Sequence, residues 1–328
     1  MNSKSWISLF SIISFFLFGA LCPVLNSIIL KDYFPYKGQL KLQFHKPFFQ
    51  LLTMYIGMCL FFIPIFLYNK YCRKFVHVVS VTYKLDIFRK TAVPSICNII
   101  GQACLNQGLI YVPATVWQIF YGFQILFATL FSVTIRKRQL FLVDWLSLFI
   151  STAGLAFSGV AALLRGIASD SEQPISSIFF SIIILIFAHG IIAFQTILEE
   201  RLLHDEDINS ATLTACEGVW GVFFLTFIVL PLCSVLKPTS QFYEDSIETF
   251  QMIAKSGQLA GLIVGYLMTV TGYSFCGIQI TRVSSAIHRN MYEMVRPLPV
   301  WLLSLFIYYV TTNNEEIGEP LDEFSILE

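Results

Sequence analysis

Nine apolar runs, each about as long as a lipid bilayer is thick, set the solvent in which this chain folds. A helix needs about 20 mainly apolar residues to cross the hydrocarbon core. Such runs lie at about 5–30, 47–69, 92–112, 114–135, 141–164, 176–198, 209–236, 257–280 and 285–310. Several links between them are too short for anything but a reversal. Val112-Pro113 joins the third run to the fourth, and Arg136-Lys137-Arg138-Gln139 joins the fourth to the fifth. Inside a bilayer the backbone must satisfy its own hydrogen bonds, which leaves helices or a closed barrel. Runs of this length are helical, so the expected fold is an all-α polytopic membrane protein. Charged residues make up 13% of the 328 residues, against about 25% in soluble domains. The first run has one nearby lysine, Lys4, and exceeds the apolar core of a signal peptide, so it reads as a retained span.

The same composition excludes other classes. The formal net charge is zero, so no nucleic-acid footprint is visible. The eight cysteines lie mostly in apolar runs and form no Cys-x-x-Cys pair, which argues against a zinc site or a disulfide framework. There is no His-Glu-x-x-His and no serine–histidine placement fit for nucleophilic catalysis, so the chain does not read as an enzyme. Deep tryptophans such as Trp117, Trp220 and Trp301 give no sign of a cofactor, and none is expected. The expected partners are a small-molecule solute and the lipid bilayer, with a homodimer left open. Lys and Arg counts favour a cytosolic N-terminus: twelve fall in the links that would then face inward, seven in those facing outward. The two longest links, 70–91 and 237–256, are also the most polar.

The ninth run carries ionised side chains. Arg289, Glu293 and Arg296 follow i, i+4, i+7 spacing, which places them within a sector of roughly 60° on a helix. Each charge costs about 2.5–3.5 kcal/mol at a bilayer centre, so three left unrelieved would cost roughly 8–10 kcal/mol. The stripe is therefore expected to face protein or a wet cavity, with Glu293 bridging the two arginines. An intramembrane ionisable group is by default a functional candidate. Glu217 in the seventh run is a second. His189, Thr196 and Glu200 share a face of the sixth run, with Glu199 beside them near the expected inner interface. In the third run Ser95, Asn98, Gln102 and Asn106 share a face, which suits helix–helix hydrogen bonding as well as a solute path.

A shift of 171 residues lays Val112 on Val283, Ala114 on Ser285 and Tyr121 on Tyr292. The two copies start five spans apart, so they enter the membrane in opposite directions. Inverted repeats of this kind frame the midplane site of secondary transporters. Under the shift Gln118 falls on Arg289, which makes Gln118 a candidate for the same path. The expected division is a first repeat over 1–165 and a second over 176–328. The counterpart of the fifth span would fall at about 312–335. The chain instead reaches Glu328 through Glu315, Glu316, Glu319, Asp322 and Glu323, so a tenth span is expected to be absent or truncated here.

Several stretches together resemble a known family. They are Phe44-His-Lys-Pro-Phe-Phe-Gln50, Trp117-Gln-Ile-Phe-Tyr-Gly122, Leu130-Phe-Ser-Val133, Ile197-Leu-Glu-Glu-Arg201, Glu217-Gly-Val-Trp-Gly221 and the Arg289/Glu293/Arg296 stripe. They are similar to the F6-type branch of the solute carrier 35 family, with the EamA-like fold of the drug/metabolite transporter superfamily. The resemblance implies ten helices in two inverted five-helix repeats. It implies a carrier of organic solutes in internal membranes such as Golgi, endosome or lysosome, with the mitochondrial membrane as the alternative. The wider family moves nucleotide sugars in exchange for the monophosphate. The branch tends to carry an arginine where this chain has Tyr121, and an aspartate where it has Glu293. The function expected is alternating-access transport of a small, anionic organic solute, with Arg289, Glu293, Arg296, Glu217, Gln118, Asn98, Gln102, Tyr121 and His189 along its path. The rival is a membrane scaffold or receptor without transport.

Overall fold

In a computed structural model of the chain, the described residues are 3–31, 33–36, 40–44, 46–63, 85–109, 120–139, 175–236 and 243–296. Shorter stretches are described between 141 and 154 and between 298 and 306. Among the described residues the regular structure is helical apart from one small hairpin. Helix α1 (Ser3–Lys31) leads into strands β1 (Tyr33–Tyr36) and β2 (Leu40–Gln43), which pair antiparallel with Tyr33 opposite Gln43. Helices α2 (Pro47–Cys59), α3 (Leu85–Lys90), α4 (Ala92–Leu109) and α5 (Tyr121–Thr134) follow. The second half holds α6 (Ile175–Asp205), α7 (Ser210–Phe224), α8 (Leu230–Val235), α9 (Ser246–Lys255), α10 (Gly257–Val283) and α11 (Ala286–Val295).

Among the described residues four segments are long and apolar enough to cross a membrane: Leu9–Asn26, Phe179–Asp205, Ser210–Val235 and Gly257–Val283. Helices α2 and α5 are shorter apolar pieces of expected spans. The molecule is a polytopic, all-α membrane protein, with the hairpin as a small adjunct after α1. The hairpin was not expected, because a span-scale reading treats residues 31–46 only as a link. The two long polar links also hold helices: α3 in one and α9 in the other. Asp245 Oδ1 caps α9 by accepting from the amides of Ile247 (2.8 Å) and Glu248 (3.3 Å). Ser256 then caps α10 by accepting from Leu259 N. Between α7 and α8 a π turn spans Leu225–Val229. Pro231 has no amide hydrogen to continue an α ladder there, and a π turn absorbs the mismatch.

Without water between helices, small residues and close packing hold a membrane bundle together. Helix α1 lies along α10, and α4 along α6. Helix α7 crosses α2 so closely that a Cβ on Gly218 would fall 2.6 Å from Cys59 N. A Cβ on Gly221 would fall 2.1 Å from the Tyr55 ring. The main core gathers on this crossing and includes Phe49, Tyr55, Ile99, Leu213 and Ile278.

Polar contacts collect at two ends. At one, Lys90 pairs with Glu206, Arg136 with Asp205 (2.6 Å) and Arg282 donates to Asn209 (2.7 Å). These residues come from the links that the charge bias places on the inner side. At the other end Lys46 Nζ pairs with Glu248 at 2.9 Å. There Glu244 accepts from Phe48 N (2.7 Å) and Phe49 N (3.1 Å), capping α2 from nearly 200 residues away. Burial pushes the Glu244 carboxyl up to about 7, against the pull of the two amides and Lys46.

Candidate functional site

Four helices place charged and polar side chains against one another inside the bundle. Helix α11 starts at Ser285, whose hydroxyl accepts from His288 N (3.4 Å). Its ten residues aim Arg289, Asn290 and Glu293 inward, and Arg296 follows at the C-cap. Arg296 donates from Nη2 to Tyr121 Oη of α5 (2.8 Å) and from Nη1 to Tyr273 Oη of α10 (2.7 Å). Its guanidinium also lies 5.0 Å from the Tyr121 ring centre and 5.3 Å from that of Tyr273. Glu293 Oε2 sits 3.4 Å from Arg296 Nη1 and accepts from the Tyr273 hydroxyl. Phe15 of α1 stacks on Tyr273 at 4.7 Å, closing that side.

Arg289 does not share Glu293 with Arg296. It donates from Nη1 to Glu199 Oε2 on α6, while Gln195 Nε2 holds the other Glu199 oxygen at 2.7 Å. The expected bridge is therefore half right: Glu293 serves Arg296, and a second carboxylate serves Arg289. Glu199 is 1% exposed, so it is a buried partner rather than a solvated helix end. Its neighbour Glu200 is equally buried and accepts from Arg138. Between the two arginines runs an amide relay. Asn290 Nδ2 donates to Thr196 Oγ1 (3.2 Å), and Gln124 Nε2 donates to Asn290 Oδ1 (2.8 Å). Gln124 Oε1 faces His189 Nδ1 at 3.4 Å, and the His189 ring meets Tyr121 edge-on at 5.0 Å.

The cluster thus brings together Arg289, Glu293, Arg296, Tyr121 and His189. Glu217, on α7, lies near enough to Arg289 and Glu199 for their charges to act on it. Asn98 lies beside the Tyr55 hydroxyl, and Tyr55 donates to Ser95 O at 3.2 Å. Asn98 and Gln102 are half-buried on α4, away from the direct contacts of both arginines. Gln118 lies outside the described residues. Reading the sequence missed Glu199 as a partner, and missed Tyr273, Gln124 and Asn290 altogether. Asn290 and Gln124 were detectable as amides within apolar runs. Tyr273 was not, since aromatic residues are everywhere in this chain. Both arginine side chains are mostly buried, at 12% and 14% exposure. The arrangement is a closed, fully internal ion-pair network that could offer two guanidinium forks to an anion if its carboxylates yield.

The profile of the nucleotide-sugar transporter family matches residues 50–285, which runs from α2 through α10. The chain belongs to the nucleotide-sugar transporter family. Within that match lie Tyr121, His189, Glu199, Glu217 and Tyr273. The chain is also similar to human Solute carrier family 35 member F6, with 27% identity over 219 residues, or 65% of this chain and 58% of that one. The rat Solute carrier family 35 member F6 gives 27% over 241 residues, 71% of this chain and 62% of that one. An uncharacterized Schizosaccharomyces pombe protein gives 26% over 260 residues and 78% of each chain. The chain spans about 58% of the human relative's length. Membership of this transporter family sets the chain apart from intramembrane enzymes.

Proposed function

We propose that the protein is a secondary carrier for a small anionic organic solute of the nucleotide-sugar type, working by alternating access in an internal membrane. The observation that carries this reading is the source of the ligands around Arg296. Arg296 on α11 is held by Tyr121 from the first half as well as by Tyr273 and Glu293 from the second. A site whose partners come from both halves senses their relative movement, and an anion entering it replaces carboxylates that are already in place.

The packing pattern supports two repeats, 1–165 and 176–328. Exchanging α1, α2, α4 and α5 for α6, α7, α10 and α11, in that order, converts the α1–α10 contact into the α6–α4 contact. It converts α2–α10 into α7–α4, and returns α2–α7 and α5–α11 to themselves. All six contacts are present, while the α5–α6 contact has no counterpart of similar extent between α11 and α1. Such a pseudo-twofold frame is what rocking-bundle transport requires.

The test is uptake of a panel of radiolabelled nucleotide sugars into proteoliposomes, with Arg296→Ala as the binding-deficient control. The expected result is saturable uptake of at least one by the wild-type protein and none by the variant. Equal uptake by a folded Arg296→Ala protein would remove Arg296 from the reading.

A further inference from the structure

Glu217 takes no part in holding either arginine, and its burial calls for an explanation. It is 2% exposed on α7, and its Oε1 has no hydrogen-bond partner. The backbone around it is fixed. Ser95 Oγ donates to the Glu217 carbonyl at 3.2 Å, and the glycines at 218 and 221 press this stretch of α7 onto α2. The groups whose charge or hydroxyl reaches it electrostatically, without an ion pair, are Tyr55 from α2, Glu199 from α6 and Arg289 from α11. Arg289 is already committed to Glu199, although its own Nε is unpartnered.

We propose that Glu217 is a proton-binding site, and that Glu217 and Glu199 compete for Arg289, the proton residing on whichever carboxyl the arginine leaves. A buried carboxylate with an orphan oxygen, whose nearest guanidinium is already paired with another carboxylate, is costly, and taking up a proton relieves that cost. Two carboxyls beside one guanidinium hold one negative charge readily, not two, and titrate as a unit. With Arg289 on Glu199, Glu217 carries the proton and the group of three is neutral. When an anion takes the Arg289 guanidinium, Glu199 loses its countercharge and binds a proton from water admitted to the opened site. Arg289, the anion and the two protonated carboxyls are again neutral together. One proton is therefore taken up at Glu199 as the anion takes Arg289. This last step rests on the anion-carrier reading above; the protonation of Glu217 does not.

Infrared spectroscopy of the protein in lipid nanodiscs at neutral pH, in water and in heavy water, on a Glu244→Gln background that removes the carboxyl titrating near 7, reads the carboxyl state with no solute present. This parent should show a protonated-carboxyl C=O band that shifts in heavy water. Glu217→Gln, which preserves shape, should lose that band. Glu199→Gln should lose it too, because Arg289 then turns to Glu217 and ionises it. Arg289→Gln should strengthen the band about twofold, with both carboxyls protonated. A Glu217→Gln spectrum identical to that of the parent overturns the proton site. A Glu199→Gln protein that keeps the Glu217 band overturns the competition for Arg289. If Arg289→Gln fails to fold, as judged by gel filtration, the two isosteric glutamate variants still decide. Because no solute is used, these outcomes are independent of the uptake test.

Discussion

Arg296 has three acceptors on three helices, and Arg289 has one carboxylate with a second in reserve. That difference governs what single substitutions should do. Arg296→Ala leaves Glu293 with the Tyr273 hydroxyl as donor, so folded protein should be recovered while solute uptake is lost. Flux together with gel filtration checks this. Glu199→Gln should be mild, because Glu217 can take over Arg289. The double variant Glu199→Gln/Glu217→Gln removes both carboxylates from a buried guanidinium, and should cost about 3–5 kcal/mol, more than the sum of the singles. Thermal unfolding in detergent of the two singles and the double measures that excess. An additive result would contradict the shared arginine. Sequence reading reached the three charges of α11, because ionised residues in an apolar run stand out. It could not pair them, since periodicity describes one helix and Glu199 comes from another, 90 residues away.

At the scale of elements, the α2–α7 crossing sets the distance between the halves. Gly218→Ala would place a methyl 2.6 Å from Cys59 N and 2.8 Å from Met58 C. Those are backbone atoms of a packed helix, so relief requires α2 to move. The expected cost is about 1–3 kcal/mol, seen as a lower unfolding midpoint in detergent. Gly261→Ala, in α10, is the contrasting case. A Cβ there meets nothing within 4 Å, and alanine favours the helix by about 1 kcal/mol over glycine. That variant should match or exceed wild-type stability. Equal losses in both would show that helix propensity, rather than close approach, controls this bundle. Among the described residues the apolar runs forecast the helices well, because a bilayer leaves the backbone few choices. They did not forecast α9 or the β1–β2 hairpin, which lie in polar links where water removes that constraint.

Across the whole molecule, Glu244 ties the loop before α9 to the start of α2 and so joins the two halves at one membrane face. Its folded pKa of about 7 lies above the ordinary carboxylate value of 4.5. Between those values the folded state holds a proton that the unfolded state has lost. The contribution is thus fully present below about 4.5 and declines as the pH rises to about 7. In magnitude it is roughly 3 kcal/mol. The unfolding midpoint of the wild type should therefore fall from pH 5 to pH 8, and Glu244→Gln should flatten that fall. A variant with the same slope as the wild type would assign the pH dependence to other groups.

The amino-acid sequence was enough to establish the solvent, the helical character and the presence of costly charges, because each follows from how long an apolar run is and what interrupts it. The alternation of spans also grouped Lys90, Arg136 and Arg282 on one side, and these residues do gather at one end of the bundle. Which charge meets which was settled only by tertiary packing. Tyr121 reaches Arg296, Glu199 takes Arg289, and Glu217 is left with an orphan oxygen because of where α5, α6 and α7 come to rest against α10 and α11. Contacts of this kind depend on helix rotation and approach at the scale of a single side chain, and glycines such as Gly218 and Gly221 set that approach only when the partner helix is in place.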